Sequence, residues 1–135
     1  MIQKKITVSG RRKTAKAKAT IINGSGIILI NKISYKNFDL MKQLQIDEPI
    51  EITKRVLGSF DFDISVNVVG GGTESRFEAS RLAIARALVE FTKSDVLKKE
   101  FIHYDKNLLI ADTRKKEARK PGDSKARKKR QKSFR

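Results

Sequence analysis

The chain contains no cysteine, a single histidine and two prolines in 135 residues. Without cysteine it can form neither a disulfide nor a thiolate-held zinc site. His103, with no second histidine beside it, cannot complete a usual zinc site, so a packed or surface role is expected for it. Long apolar runs are also missing. Nothing approaches the ~20 residues needed to span a bilayer, and the opening MIQKKITVSG lacks the apolar core of a signal peptide. A cytosolic chain with no membrane partner is expected. The acids are scattered, and none stands beside a plausible nucleophile in a recognisable motif. No catalytic residue, metal, cofactor or small-molecule substrate is therefore expected.

Acid is scarcest at the two ends. Residues 1–20 hold seven bases and no acid, and residues 113–135 hold twelve bases and two acids, a net of +10 within a formal total of +16. The stretch between has twelve bases and thirteen acids. A nearly neutral globule over 1–112 with a basic, extended tail over 113–135 is the expected organisation. The only large apolar side chain of the tail is Phe134, too little to offset the entropy of ordering, so the segment should order only along a polyanion. Fully extended, it reaches roughly 75 Å at ~3.3 Å per residue. Clustered charge with a pI near 10.3 is the footprint of a nucleic-acid binder. A membrane-attracted patch would add apolar anchors or a lipidation signal, and neither is present. Chromatin-type DNA binding remains open on charge alone.

Period-two alternation predicts strands at Ile6–Val8, at Thr14–Ile22 and at 61–68, where Phe62, Ile64, Val66 and Val68 share one face. In the second of these, Ala15, Ala17, Ala19 and Ile21 face one way while Lys16 and Lys18 face the other. Ser9-Gly10 reads as punctuation, which places Arg11, Arg12 and Lys13 in a loop. Asn23-Gly24-Ser25-Gly26 followed by Ile27–Ile30 reads as a β-hairpin. Ser34 is expected to cap a short helix bearing Tyr35, Phe38, Met41 and Leu44. Asp47-Glu48-Pro49 is expected to start a second helix ending at Gly58, although Ile50 and Ile52 also fit a strand. Ser75 and Glu78 suggest a capping box for a long helix to about Thr92, its apolar stripe formed by Phe77, Ile84, Leu88 and Phe91. A shorter helix follows near Asp95–Phe101. Together these predict an α+β domain.

Gly70-Gly71-Gly72 lies between a strand and a helix but matches neither phosphate-loop pattern. It is either a turn that lets an RNA backbone approach or a purely steric loop. Arg81, within the helix stripe, either pairs with Glu78 at i,i+3 or reaches past the core to a phosphate. Lys16 and Lys18, beside Arg11, Arg12 and Lys13, form a charged face at the mouth of the sheet.

Three motifs in order resemble one family. Ser9-Gly10-Arg11-Arg12-Lys13-Thr14-Ala15 is similar to the opening motif of the S-nine family of small-subunit ribosomal proteins. Gly70-Gly71-Gly72 with Ala79, Arg81 and Ile84-Ala85-Arg86-Ala87-Leu88 resembles its central signature. Asp112-Thr113-Arg114, Glu117 and Lys120-Pro121-Gly122 resemble its third segment, and Lys129-Arg130-Gln131-Lys132-Ser133-Phe134-Arg135 is similar to the ending of its archaeal branch. The resemblance implies a single two-layer α+β domain like the second domain of ribosomal protein S-five, carrying a long basic extended C-terminal tail. It also implies a place in the head of the small subunit, with neighbouring head proteins, the 3′ major domain of the small-subunit rRNA and the P-site tRNA as partners. Carried over by motif, Arg11, Arg12, Lys13 and, in the tail, Arg114, Lys115, Lys116, Arg119, Lys120, Lys125, Arg127, Lys128, Lys129 and Arg130 would hold rRNA; Lys16 and Lys18 of the charged face, Gly70, Gly71 and Gly72 of the loop, Arg81 and an added Arg76 complete the expected rRNA-binding set. Lys132, Ser133, Phe134 and Arg135 would meet the tRNA anticodon stem-loop. The family's usual Gly-Gln is replaced here by Ser75-Arg76, which stiffens the loop and adds a charge, and Phe134 replaces a tyrosine.

Overall fold

Alternating small residues set how closely this chain packs. The computed structural model describes residues 4–114; the expected contacts of Lys115 to Arg135 lie outside them. Five strands form one sheet in the order β1-β2-β5-β3-β4: β1 (Ile6–Arg12), β2 (Ala15–Asn23), β3 (Ile28–Ile30), β4 (Ile33–Ser34) and β5 (Phe62–Val69). Three helices, α1 (Leu40–Leu57), α2 (Thr73–Thr92) and α3 (Asp95–Tyr104), complete the second layer. Ala15, Ala17, Ala19 and Ile21 are fully buried on the helix side of β2, as their alternation predicts. Opposite them, α2 buries Ala79, Ala83 and Ala87, one per turn, along with Phe77, Ile84, Leu88 and Phe91. Small residues on both sides let the helix backbone come close to the strands. Among the described residues no helix covers the other face of the sheet.

Gly10 does not break its strand. β1 continues through it to Arg12, and β1 and β2 form the hairpin through a Lys13-Thr14 turn in which Lys13 takes φ 53°. A Cβ on Gly10 would stand 2.5 Å from the Ala79 carbonyl oxygen and 2.7 Å from the Ala83 nitrogen. The glycine is there for the approach of α2, not for a turn.

The hairpin expected from β2 into β3 is not formed, because β5 lies between them, antiparallel to β2 and parallel to β3. Asp63, the second residue of β5, holds the connection between β2 and β3. One of its carboxylate oxygens accepts the backbone N–H groups of Ser25, Gly26 and Ile27 at 3.0, 3.2 and 3.0 Å. The Gly24 N–H donates to the Asp61 carbonyl. Residues 24–27 are thus wrapped around the start of β5 instead of folding back on β2. These bonds, that to Ile27 foremost, hold the Asp63 carboxyl below its ordinary range. Asp63 therefore adds stability that is fully present above the unfolded carboxyl value near 3.9 and is lost as pH falls through its lower folded value. Asp63→Ala is expected to cost about 1–3 kcal/mol at neutral pH and to flatten the acid limb of the stability–pH curve. Urea unfolding between pH 3 and 7 measures both, and an unchanged acid limb would count against this role.

The two helices expected between residues 35 and 57 are one. Ser34 belongs to β4 and makes no side-chain cap bond, and Tyr35–Asn37 is a single 3-10 turn. Burial, followed by the Asp47 carboxylate that accepts its hydroxyl, pushes Tyr35 up to about 12. α1 then runs through Pro49, which removes one helical N–H. Packing overrides this local loss: Ile46, Pro49, Ile50, Ile52 and Thr53 are all buried, on both sides of the proline. Gly58, with φ 82°, ends the helix and donates its N–H to the Lys54 carbonyl. Met41 and Leu44, expected on an apolar face, are exposed.

α2 begins two residues before the expected capping serine. Its N-cap is Gly72, with no side-chain cap bond, while Ser75 is buried and Glu78 is paired elsewhere. α3 starts at Asp95 as read, capped by Ser94, whose hydroxyl oxygen accepts the Leu97 N–H at 3.2 Å.

Candidate nucleic-acid interface

Cross-strand register brings Arg11 of β1 and Lys16 and Lys18 of β2 together on the uncovered face. Arg11 lies opposite Lys16, and Ser9 opposite Lys18. The next strand places Val69 beside Lys16 and Asn67 beside Lys18. Two like charges directly opposite each other destabilise a sheet, and β5 supplies no acid at this end. Among the described residues, Arg11, Lys13, Lys16 and Lys18 form no ion pair with a carboxylate. No carboxylate among the described residues relieves their repulsion.

The glycine loop closes against the β1–β2 turn. Gly70 and Gly71 have φ 78° and 67°, in the left-handed region. A Cβ would lie 2.6 Å from the Thr14 carbonyl oxygen at Gly70 and 2.9 Å from the Ala15 Cβ at Gly71. The space that a side chain would need at Gly70 and Gly71 is thus taken by the chain's own Thr14 and Ala15. Gly72 has nothing within 4 Å and opens onto solvent at the start of α2. Arg76 straps the loop, its Nε donating to the Gly70 carbonyl at 3.0 Å. The Lys13 turn, the glycine loop, Arg76 and the first turn of α2 thus share one end of the domain.

Arg12 and Arg81 are used differently. Arg12 points to the helix side, where its Nε donates to Glu78 at 2.7 Å and a terminal nitrogen lies 3.7 Å from Asp112. Arg81 does not pair with Glu78; it contacts Glu48 and, at 3.5 Å, Asp105. Both guanidiniums brace the layers from within. Arg86, to which the sequence reading gave no role, does the same: it donates to the Leu109 carbonyl at 2.8 Å and the Ser9 carbonyl at 3.1 Å, tying the end of the globule to β1. An arginine flanked by Ala85 and Ala87 in the buried stripe of a helix was the available signal.

The root of the tail is fastened at the same end. Asp112 accepts the backbone N–H of Arg114 and is gripped by its guanidinium, with one contact of 2.7 Å. Arg114, with Arg12 behind it, holds the Asp112 carboxyl far below the usual carboxylate range, and Asp112 in turn raises the Arg114 guanidinium. Arg11, Lys13, Ala111, Asp112 and Thr113 line one cleft. His103 is exposed on α3, and among the described residues no cluster of metal-ligating side chains is formed. No helix among them is long and apolar enough to cross a membrane.

An uncovered cationic sheet end, with the last described residues Asp112–Arg114 beside it, defines the class: a basic α+β module. Residues 10–135 match the family described as Ribosomal protein S9/S16. Small ribosomal subunit protein uS9 of Methanococcus vannielii is 42% identical over 132 residues, covering 93% of this chain and 95% of that protein. The protein of the same name from Methanothrix thermoacetophila is 38% identical over 133 residues, covering 98% and 99%. The chain belongs to the ribosomal protein S9/S16 family, in its archaeal-type branch. It is a cytoplasmic structural constituent of the small ribosomal subunit and not an enzyme.

Proposed function

We propose that this chain binds the rRNA of the subunit head, in its 3′ major domain, through the cationic sheet end and the tail, and reaches the anticodon stem-loop of the P-site tRNA with Lys132, Ser133, Phe134 and Arg135. The observation that carries this reading is convergence: Arg11, Lys13, Lys16 and Lys18, without carboxylate partners among the described residues, sit beside the root of the tail at Asp112–Arg114. The contribution is electrostatic and positional. The sheet end offers fixed charge to phosphates, Arg76 and the open Gly72 add donors next to it, and the tail carries charge between rRNA helices. Arg12 and Arg81 enter as braces that keep this end and the tail root in register. Neighbouring head proteins would be met by the remaining surface.

Deleting residues 132–135 is expected to leave the melting temperature and incorporation into subunits unchanged, since a chain terminus adds little to a packed core. P-site tRNA affinity should fall about tenfold, the scale of one or two lost charge-assisted contacts. Filter binding of tRNA to purified small subunits carrying either form measures this. Equal tRNA affinity would remove the tip from the reading.

A further inference from the structure

We propose that the pocket between the β3–β4 turn and the first turn of α2 receives a single unstacked nucleobase; this rests on the RNA-binding reading above. The cavity is about 240 Å³, below the ~300 Å³ at which pockets for drug-sized ligands begin. It has room for one planar ring system and not for a whole nucleotide.

Its walls are apolar and partly aromatic. Phe38 and Phe77 meet edge to face, with ring centroids 4.9 Å apart, and Ile33 stands exposed at the mouth. At the rim sit Asn31, Thr73 and Arg76. The Asn31 amide is locked by β5: its Oδ1 accepts the Val68 N–H at 2.8 Å and its Nδ2 donates to the Val68 carbonyl at 3.2 Å. The need to satisfy both backbone groups sets the orientation of the amide. That pairing takes up the bidentate edge of the amide; one N–H and one lone pair remain, pointing apart, each able to meet a single polar atom of a ligand. Arg76 uses only its Nε on Gly70, so its terminal nitrogens have no protein partner among the described residues. They can stack on a base or take its phosphate.

Charge separates this pocket from the neighbouring cleft. No carboxylate lines it, whereas Glu48, Glu78, Asp105 and Asp112 all line the cleft around Arg12 and Arg81. The four acids there are matched by Arg11, Arg12, Arg81 and Arg114, so that cleft offers a phosphate no surplus positive charge, whereas this pocket offers Arg76 with no carboxylate beside it. Lys32, exposed in the β3–β4 turn at φ 68°, adds a further cation next to Asn31. Apolar ring surface, a fixed amide and surplus positive charge in a site of one-base volume favour a nucleobase over the apolar side chain of a neighbouring protein.

The test is solution NMR on the full chain, titrated separately with AMP and with ribose 5-phosphate. AMP should shift the resonances of Ile33, Phe38 and Phe77 saturably and bind at least about fivefold tighter than ribose 5-phosphate, the low end of one base–aromatic contact. Ribose 5-phosphate should perturb only Arg76 and the glycine loop. Phe38→Leu should bring the AMP preference below twofold and leave the phosphate response intact. If that variant does not fold, the wild-type comparison decides alone. Equal affinity for the two compounds, or AMP shifts confined to cationic side chains, would overturn the base site and leave the pocket to a protein side chain. Failure of the RNA-binding reading looks different: rRNA would bind without salt dependence and without perturbing Lys16 or Lys18.

Discussion

Gly10→Val is expected to unfold the domain under conditions where the parent chain is stable. Enlarging a packed core residue typically costs 1–3 kcal/mol, because neighbouring side chains rotate or shift to make room. Here the obstruction is backbone. Even the first carbon of the new side chain would lie 2.5 Å from the Ala79 carbonyl oxygen and 2.7 Å from the Ala83 nitrogen. Neither atom can rotate away without moving α2, and α2 packs on β1, β2 and β5 through a face that buries eleven of its 20 residues. The cost should therefore exceed about 3 kcal/mol, a large part of the 5–15 kcal/mol that holds a domain together. Gly72→Ala is the control. It sits at φ −86° with nothing within 4 Å of a new Cβ, so a change within about 1 kcal/mol is expected. Thermal and urea unfolding of both variants measure the contrast. A Gly10→Val protein melting within a few degrees of the parent would mean that α2 does not press on β1.

Neutralising the sheet end should act on binding and spare the fold. The triple variant Arg11→Gln, Lys16→Gln, Lys18→Gln removes three cations that pair with no carboxylate among the described residues. Each phosphate contact contributes close to one unit to the slope of log K against log salt, so the slope for small-subunit rRNA should become shallower by about 2–3. Affinity at physiological salt should fall roughly 10- to 100-fold. Stability should hold or rise slightly, because Arg11 faces Lys16 across the hairpin and their repulsion is removed. The opposite pattern is expected of Arg12→Gln, which leaves Glu78 and Asp112 without their inner cation. Binding isotherms over a potassium chloride series, with a melting curve for each protein, distinguish the two. An unchanged salt slope in the triple variant would move the interface away from this face.

The two variants separate what short-range pattern carries from what only packing establishes. Alternation at Ala15–Ile21 and Phe62–Val68 placed two strands and their buried faces, and it placed Lys16 and Lys18 on the open side. The 3.6-residue stripe from Phe77 to Phe91 located α2, and Gly58 marked the end of α1. The gathering of charge at both ends of the chain pointed toward a polyanion, since charge is additive and needs no fold to be counted. These features depend on residues a few positions apart. Other features depend on residues far apart in sequence, and for them local reading gave the less apt answer. An antiparallel ladder between distant segments puts β5 and not β3 beside β2, and Asp63, reaching residues 25–27, fastens the connection. Burial on both sides of Pro49 decides that α1 is one helix. The nearness of Ala79 and Ala83 turns Gly10 from punctuation into a contact, and Thr14 and Ala15 do the same for Gly70 and Gly71. Among six arginines and lysines that look alike in the sequence, tertiary position sends Arg12 and Arg81 inward to carboxylates and leaves Arg11, Lys13, Lys16 and Lys18 facing outward. Periodicity and charge are local sums over the chain; strand order, close approach and ion pairing are settled only when distant segments compete for the same space.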